Sequence, residues 1–153
     1  MDMYEAIIAE NKILEKTTRK LVDTTYAEAD LRKQLINQIE ARLKAINDAR
    51  EVYIYPTIRS TDPRPQLTKE YDERIGSIRG LLNNLLEIFS KAGKDFQYTA
   101  ERLHTEVADF TRWEMNDAFA VLKKLIDNET AAEIGDRIRE QEKREFQELL
   151  KAM

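Results

Sequence analysis

Apolar residues recur along this chain at the spacing of an α-helix almost from end to end. Ile7, Ile8, Leu14, Leu21 and Val22 form the first stripe, with Glu, Lys and Arg between them, and predict a helix over residues 3–25. The β-branched and polar cluster Asp23-Thr24-Thr25-Tyr26 is expected to end it. A second helix is predicted over 28–55, where Leu31, Leu35, Ile39, Leu43 and Ile46 stand at spacings of 4, 4, 4 and 3 and Ile36 widens the stripe. Pro56 lacks an N–H and pushes Tyr55 out of the α region, so this helix is expected to stop or kink there. The stretch Ser60 to Gln66, which holds Pro63 and Pro65, reads as the clearest loop.

The third predicted helix covers 67–92, with Thr68 as an N-cap candidate and a stripe of Tyr71, Ile75, Ile78, Leu82, Leu85 and Phe89. Gly76 and Gly80 interrupt it and suggest close approach of a neighbouring helix, while Gly93 suits a C-terminal cap. A fourth helix over 95–127 carries Phe96, Ala100, Leu103, Val107, Phe110, Val121 and Leu125. The fifth, over 130–150, opens with Thr130-Ala131-Ala132-Glu133, the pattern of a capping box. Its face of Ile134, Ile138, Phe146 and Leu149 is thinner, so it is expected to pack across one end of the assembly. Long helices with short connections predict an all-α single domain, an up-down-up-down four-helix bundle with an additional C-terminal helix.

Composition narrows the chemistry. The 153 residues are 35% charged and 42% apolar, with only four glycines and three prolines, which favours long helices over a sheet. A formal charge of -4 offers no global attraction to nucleic acid or to an anionic membrane. The absence of cysteine rules out disulfides, thiolate metal sites and cysteine nucleophiles. Acids at the N-terminus, MDMYEAIIAENK, and the lack of any run near ~20 apolar residues argue against a leader and against a membrane span. The expected location is cytoplasmic.

The stretch AINDAREVYIYPTIR, residues 45–59, is the most informative, because Ile46 and Arg50 lie four apart and so face the same layer. With Tyr55-Pro56, Ile78-Arg79-Gly80-Leu81-Leu82, Glu114, Phe119 and Glu10-Asn11, it resembles the hemerythrin-like (HHE cation-binding) domains over most of the chain. In that family the first helix carries an acidic-His pair. The second carries His-x-x-x-Glu ahead of a Tyr/Phe-Pro stop. The third carries a His before an Ile-Arg-x-Leu-Leu run, and the fourth repeats His-x-x-x-Glu before an aromatic. The resemblance implies a bundle holding two irons, used for oxygen binding, sensing or iron handling.

Laid on this chain, the frame persists and the ligands do not. Ile46, Ile75 and Phe110 stand at histidine positions, Arg50 at a glutamate position and Asn11 at the histidine of the first helix, with Glu114 as the remaining ligand. His104 is the single histidine, and a dinuclear site needs several imidazoles and carboxylates. Without cations a buried Glu114 costs several kcal/mol or is forced to protonate. Because the family's two bridging glutamates face each other, the resemblance implies a buried Arg50–Glu114 ion pair in place of the metals, with Asn11 taking a remaining guanidinium hydrogen bond. The alternative is that Arg50 snorkels to a helix end and Glu114 is exposed.

Other candidates carry less. His104 reads as a surface residue or, with Glu101 and Glu106, as a weak divalent-ion site. Trp113 reads as an interface anchor or as a packing residue. Tyr4, Tyr53, Tyr55 and Tyr98 are candidates for an aromatic cluster at one end. Arg59, Arg64 and Lys69 make a small basic edge that lacks the density of a nucleic-acid surface. Glu140 to Glu148 reads as a solvated charged face with an i,i+4 pair Glu140–Arg144, or as a partner-binding tail. The expectation is a non-catalytic protein that needs no metal or other cofactor, acting as a binding, sensor or structural module. Its partner would be an unidentified protein or small molecule, and a homodimer is compatible with the sequence. The alternative is a di-iron protein using non-standard carboxylate ligands.

Overall fold

The computed structural model describes residues 1–61 and 66–152. Among these the chain is all-helical, with no strand. The elements are α1 (Met3–Val22), a 3-10 turn (Tyr26–Glu28), α2 (Ala29–Tyr53), α3 (Tyr55–Thr61) and α4 (Gln66–Ile88). They continue with α5 (Asp95–Trp113), a π-helical turn (Glu114–Ala118), α6 (Phe119–Leu125) and α7 (Asn128–Ala152). Among the described residues no helix is long and apolar enough to cross a membrane. Arg64 and the prolines of the 60–66 stretch lie outside the described residues.

The apolar stripes become one contiguous core. Leu35, Ile39, Leu43 and Ile46 of α2 are buried with Tyr71, Ile75, Ile78, Leu82 and Leu85 of α4. Leu31 is the exception, at 39% exposed on the first turn of α2. Each fully buried Leu, Ile or Phe contributes about 1.5–3 kcal/mol over its exposed state, so packing rather than propensity holds these helices. α1 packs on α2 and α5, α4 packs on α5, and α2 meets α4, which closes a ring around the core.

Boundaries differ from the expectations for identifiable reasons. α1 stops at Val22, where Thr24 donates its hydroxyl to the Leu21 carbonyl and accepts from the buried Arg32 of α2. α2 ends at Tyr53, before Pro56, and α3 starts at once, since a proline in the first turn of a helix gives up no hydrogen bond. Residues 60 and 61, expected in a loop, belong to α3, and Gln66 begins α4 two residues ahead of Thr68. Gly93 takes the left-handed φ of 118°, but five residues beyond the end of α4. The Thr130 backbone N–H bonds the Asp127 carboxylate at 2.7 Å, so Asp127 caps α7 and Thr130 lies inside it.

The fourth predicted helix is interrupted by the π turn. Inserting one residue rotates the following stripe, so Leu122 and Ile126 are buried where Val121 and Leu125 were expected. The C-terminal helix also departs from its expected place. α7 does not cross one end; it lies along α1 and α2. α2 carries a second buried stripe, Ala41, Ala45 and Ala49, two residues out of phase with Leu43 and therefore on another side of the helix. These small side chains leave room for a helix there. At its start α7 touches backbone: a Cβ on Gly135 would collide with the Asp2 carbonyl carbon and fall 2.7 Å from the Met3 nitrogen.

Gly76 and Gly80, read above as sites of close approach, face open space instead, with nothing within 4 Å of where a methyl group would stand. The glycines should therefore respond in opposite directions. Gly76→Ala and Gly80→Ala should each stabilise by about 0.5–1 kcal/mol through helix propensity. Gly135→Ala should destabilise by about 1–3 kcal/mol through overpacking against backbone, read by urea unfolding.

Candidate functional site

Four elements each send one polar side chain to a single point in the core: Asn11 from α1, Arg50 from α2, Tyr71 from α4 and Glu114 from the π turn. Arg50 is 1% exposed and Glu114 0%. The guanidinium meets the carboxylate in bidentate fashion, Nη2 to Oε1 at 2.7 Å and Nε to Oε2 at 2.8 Å. The Asn11 amide donates to Oε1 at 2.7 Å, and the Tyr71 hydroxyl donates to Oε2 at 2.5 Å. Each carboxylate oxygen thus accepts two hydrogen bonds. Arg50 Nη2 also reaches Asn11 Oδ1 at 3.4 Å.

The surroundings are aromatic. The Arg50 guanidinium carbon lies 5.2 Å from the Phe110 ring centre and 5.6 Å from that of Tyr71, within cation–π range. Trp113, the single tryptophan, stands edge-on to Tyr71 at 4.8 Å. Ile46 and Ile75 are buried one turn from Arg50 and Tyr71 on the same helices. Burial disfavours the charged guanidinium, yet the adjoining Glu114 carboxylate outweighs it and holds the Arg50 pKa above its ordinary value. Burial, reinforced by Glu114, pushes the Tyr71 hydroxyl well up, so it stays a proton donor. The site is a buried ion pair in which both Glu114 oxygens are fully hydrogen-bonded, while Nη1 of Arg50 is buried with no hydrogen-bond partner among the described residues.

The site brings Asn11, Arg50, Phe110 and Glu114 together. Other candidates lie elsewhere. Trp113 is buried in the aromatic group, not an exposed anchor. The four tyrosines do not cluster: Tyr4 packs on Phe119, Tyr55 on Tyr71, Tyr53 is half-buried against the core, and Tyr98 is 65% exposed. His104 is half-buried, with Nδ1 2.8 Å from the Thr18 hydroxyl, while Glu106 bonds Ser77 and Glu101 contacts Gln97. Among the described residues no group of three or more His, Asp or Glu is placed to hold a metal ion. Arg59 lies over the Tyr55 ring, and Lys69 faces Glu73 at 3.9 Å. The tail is not wholly solvated, because Glu142 is 3% exposed, and an i,i+4 contact joins Gln141 to Glu145.

Sequence reasoning assigned no role at the site to Tyr71, which it placed only in an apolar stripe. The clue was a hydroxyl in that stripe, since a buried tyrosine oxygen normally finds a partner. It also missed Glu142, whose signal was an acid at the i+4 position after Ile138. Comparison of the chain with protein-family models, with curated proteins and with solved structures gave no match.

Removing one partner of this pair should cost more than removing all of it. Arg50→Ala should destabilise by about 3–5 kcal/mol, because Glu114 is then left buried without a cation. Tyr71→Phe should cost about 1.5–3 kcal/mol for one hydrogen bond to a charged group. Replacing Arg50 and Glu114 with Met and Leu, with Tyr71→Phe and Asn11→Leu, should cost less than Arg50→Ala alone. Trp113 fluorescence during denaturation reads all three, and equal losses in the single and combined variants would contradict the coupling.

Proposed function

We propose that the chain is a hemerythrin-like, up-down-up-down bundle in which an ion pair has taken the place of the metal centre, and that it works as a non-catalytic binding module in the cytoplasm. The observation that carries this reading is the saturation of Glu114. Both oxygens already accept two hydrogen bonds, one from a fixed cation. A metal ion would have to displace Arg50 and then accept Ile46, Ile75 and Phe110 as neighbours, and none of these offers a donor atom. The residues present therefore do not fit the two irons that the resemblance implies. An ion pair with no exposed atom also has no reactive group to offer a substrate.

A small molecule could sense this centre through a pocket that shares one of its residues. A pocket of about 310 Å³ between α1 and α5 is lined by Ile8, Lys12, Ala108 and Met115 and by Asn11, which also bonds Glu114. A ligand there would touch the ion pair through one amide. A protein partner would instead use the outer helix faces.

Protein expressed with iron supplied should hold well under one metal atom per chain by elemental analysis, and a chelator should leave its thermal melt unchanged. About two metal atoms per chain, with a melt that falls on chelation, would replace this reading with a di-iron protein built on carboxylates.

A further inference from the structure

The second half of α7 is seated differently from the first. Ala131, Ile134, Gly135 and Ile138 are buried, with Gly135 against the backbone at the start of α1. Beyond them a cavity of about 750 Å³ opens between α7, α1 and α2, walled by Glu10, Ile13, Arg42, Phe146 and Leu150 among others. Glu142 of α7 lines this cavity, and Glu145 follows it on the same helix. Both oxygens of Glu142 are buried and have no hydrogen-bond partner among the described residues, and the same holds for Oε2 of Glu145.

The groups facing these acids are largely of the wrong sign or already engaged. Glu142 faces Glu10 of α1, Arg42 and Arg50 of α2, and Glu114 of the π turn. Arg42 is paired with Glu10, and its guanidinium lies 4.1 Å from the Phe146 ring centre. Arg50 gives Nε and Nη2 to Glu114, and its Nη1, also without a partner among the described residues, does not hydrogen-bond Glu142. Glu145 faces Asp48 and Lys44 of α2, and those two are bridged to each other at 2.6 Å. Glu142 and Glu145 therefore each sit against another carboxylate. Glu142 has no hydrogen-bond partner among the described residues, and Glu145 is half-buried and accepts one hydrogen bond from Gln141. A buried carboxylate without a partner favours its protonated form.

We propose that residues 140–152 form a proton-gated strap, held on the α1–α2 groove while Glu142 and Glu145 are protonated and released when they ionise. Burial, with Glu10 adding to it, pushes the Glu142 carboxyl up to about 8, and burial raises that of Glu145, opposed by the hydrogen bond from Gln141 and reinforced by Asp48. The seated pKa lies above that of a free glutamate. Seating is therefore strongest below about pH 4.5, weakens as pH rises, and levels off above about pH 8. Physiological pH falls on this slope. The fixed start of α7 at Gly135 keeps the motion local, and the uncovered groove becomes available near neutral to alkaline pH.

Cleavage by chymotrypsin after Phe146, followed by mass spectrometry, tests this in the full chain. At each pH the rate is divided by that of Glu142→Gln, which removes the protease's own pH dependence. The ratio should climb roughly 100-fold between about pH 6 and about pH 9, the linkage span of a carboxyl shifted from 4.5 to about 8. Glu142→Leu should stay resistant at Phe146 throughout and serves if the Gln variant folds poorly. A flat ratio would overturn the proposal. So would a falling one, which would mean that ionised Glu142 finds Arg50 instead. A rise matched by cleavage after the core residue Phe96 would also overturn it, because global unfolding would then be the cause.

Discussion

A carboxylate buried in the middle of an apolar core is the constraint on which much of this structure depends. Glu114 is fully buried, and an isolated charge there would be forced to neutralise. Its four hydrogen bonds come from three different helices, so the charge is tolerated only when α1, α2 and α4 are all in register with the π turn. An apolar layer could slide by a fraction of a turn at modest cost. A carboxylate with four hydrogen bonds made cannot, because each lost donor strands part of a buried charge. The pair therefore acts as a register pin for the helices around it.

The same constraint accounts for the irregular helix at Glu114. The π turn begins at this residue and advances the stripe of α6 by one position. Such bulges insert a residue without ending the helix and are often found where a side chain must be aimed. Here the bulge coincides with the one charged residue that α5 and its continuation bury, and Trp113, just before it, packs edge-on against the tyrosine that bonds the same carboxylate.

Charge is handled in opposite ways at two places in this bundle. Glu114 is matched by a guanidinium, an amide and a hydroxyl. Glu142 is buried on the face of α7 with no donor within hydrogen-bond reach among the described residues. The first arrangement rigidifies its layer, and the second leaves α7 dependent on a proton. Arg32 illustrates a third solution: it is 4% exposed, stacks on Phe96 and bonds Thr24, so a buried cation without an ion pair among the described residues ties the α1–α2 connection to the core.

The sequence by itself determined the helical class and most of the buried stripes, because a 3.6-residue period is local and survives whatever the helices meet. Leu35, Ile39, Leu43 and Ile46 are buried as their spacing requires, and so are Tyr71, Ile75, Ile78, Leu82 and Leu85. That Arg50 and Glu114 belong to one layer was suggested only by resemblance, since periodicity on separate helices says nothing of which layers meet. The tertiary structure alone decided that α7 lies along the alanine side of α2, that Gly135 rather than Gly76 or Gly80 touches backbone, and that Tyr71 completes the hydrogen bonds of Glu114. These depend on contacts between residues far apart in the chain, such as Glu114 with Asn11 or Gly135 with Asp2. Such contacts leave no local period: an alanine stripe reads as filler, and a buried acid reads as surface, until the helix that covers them is in place.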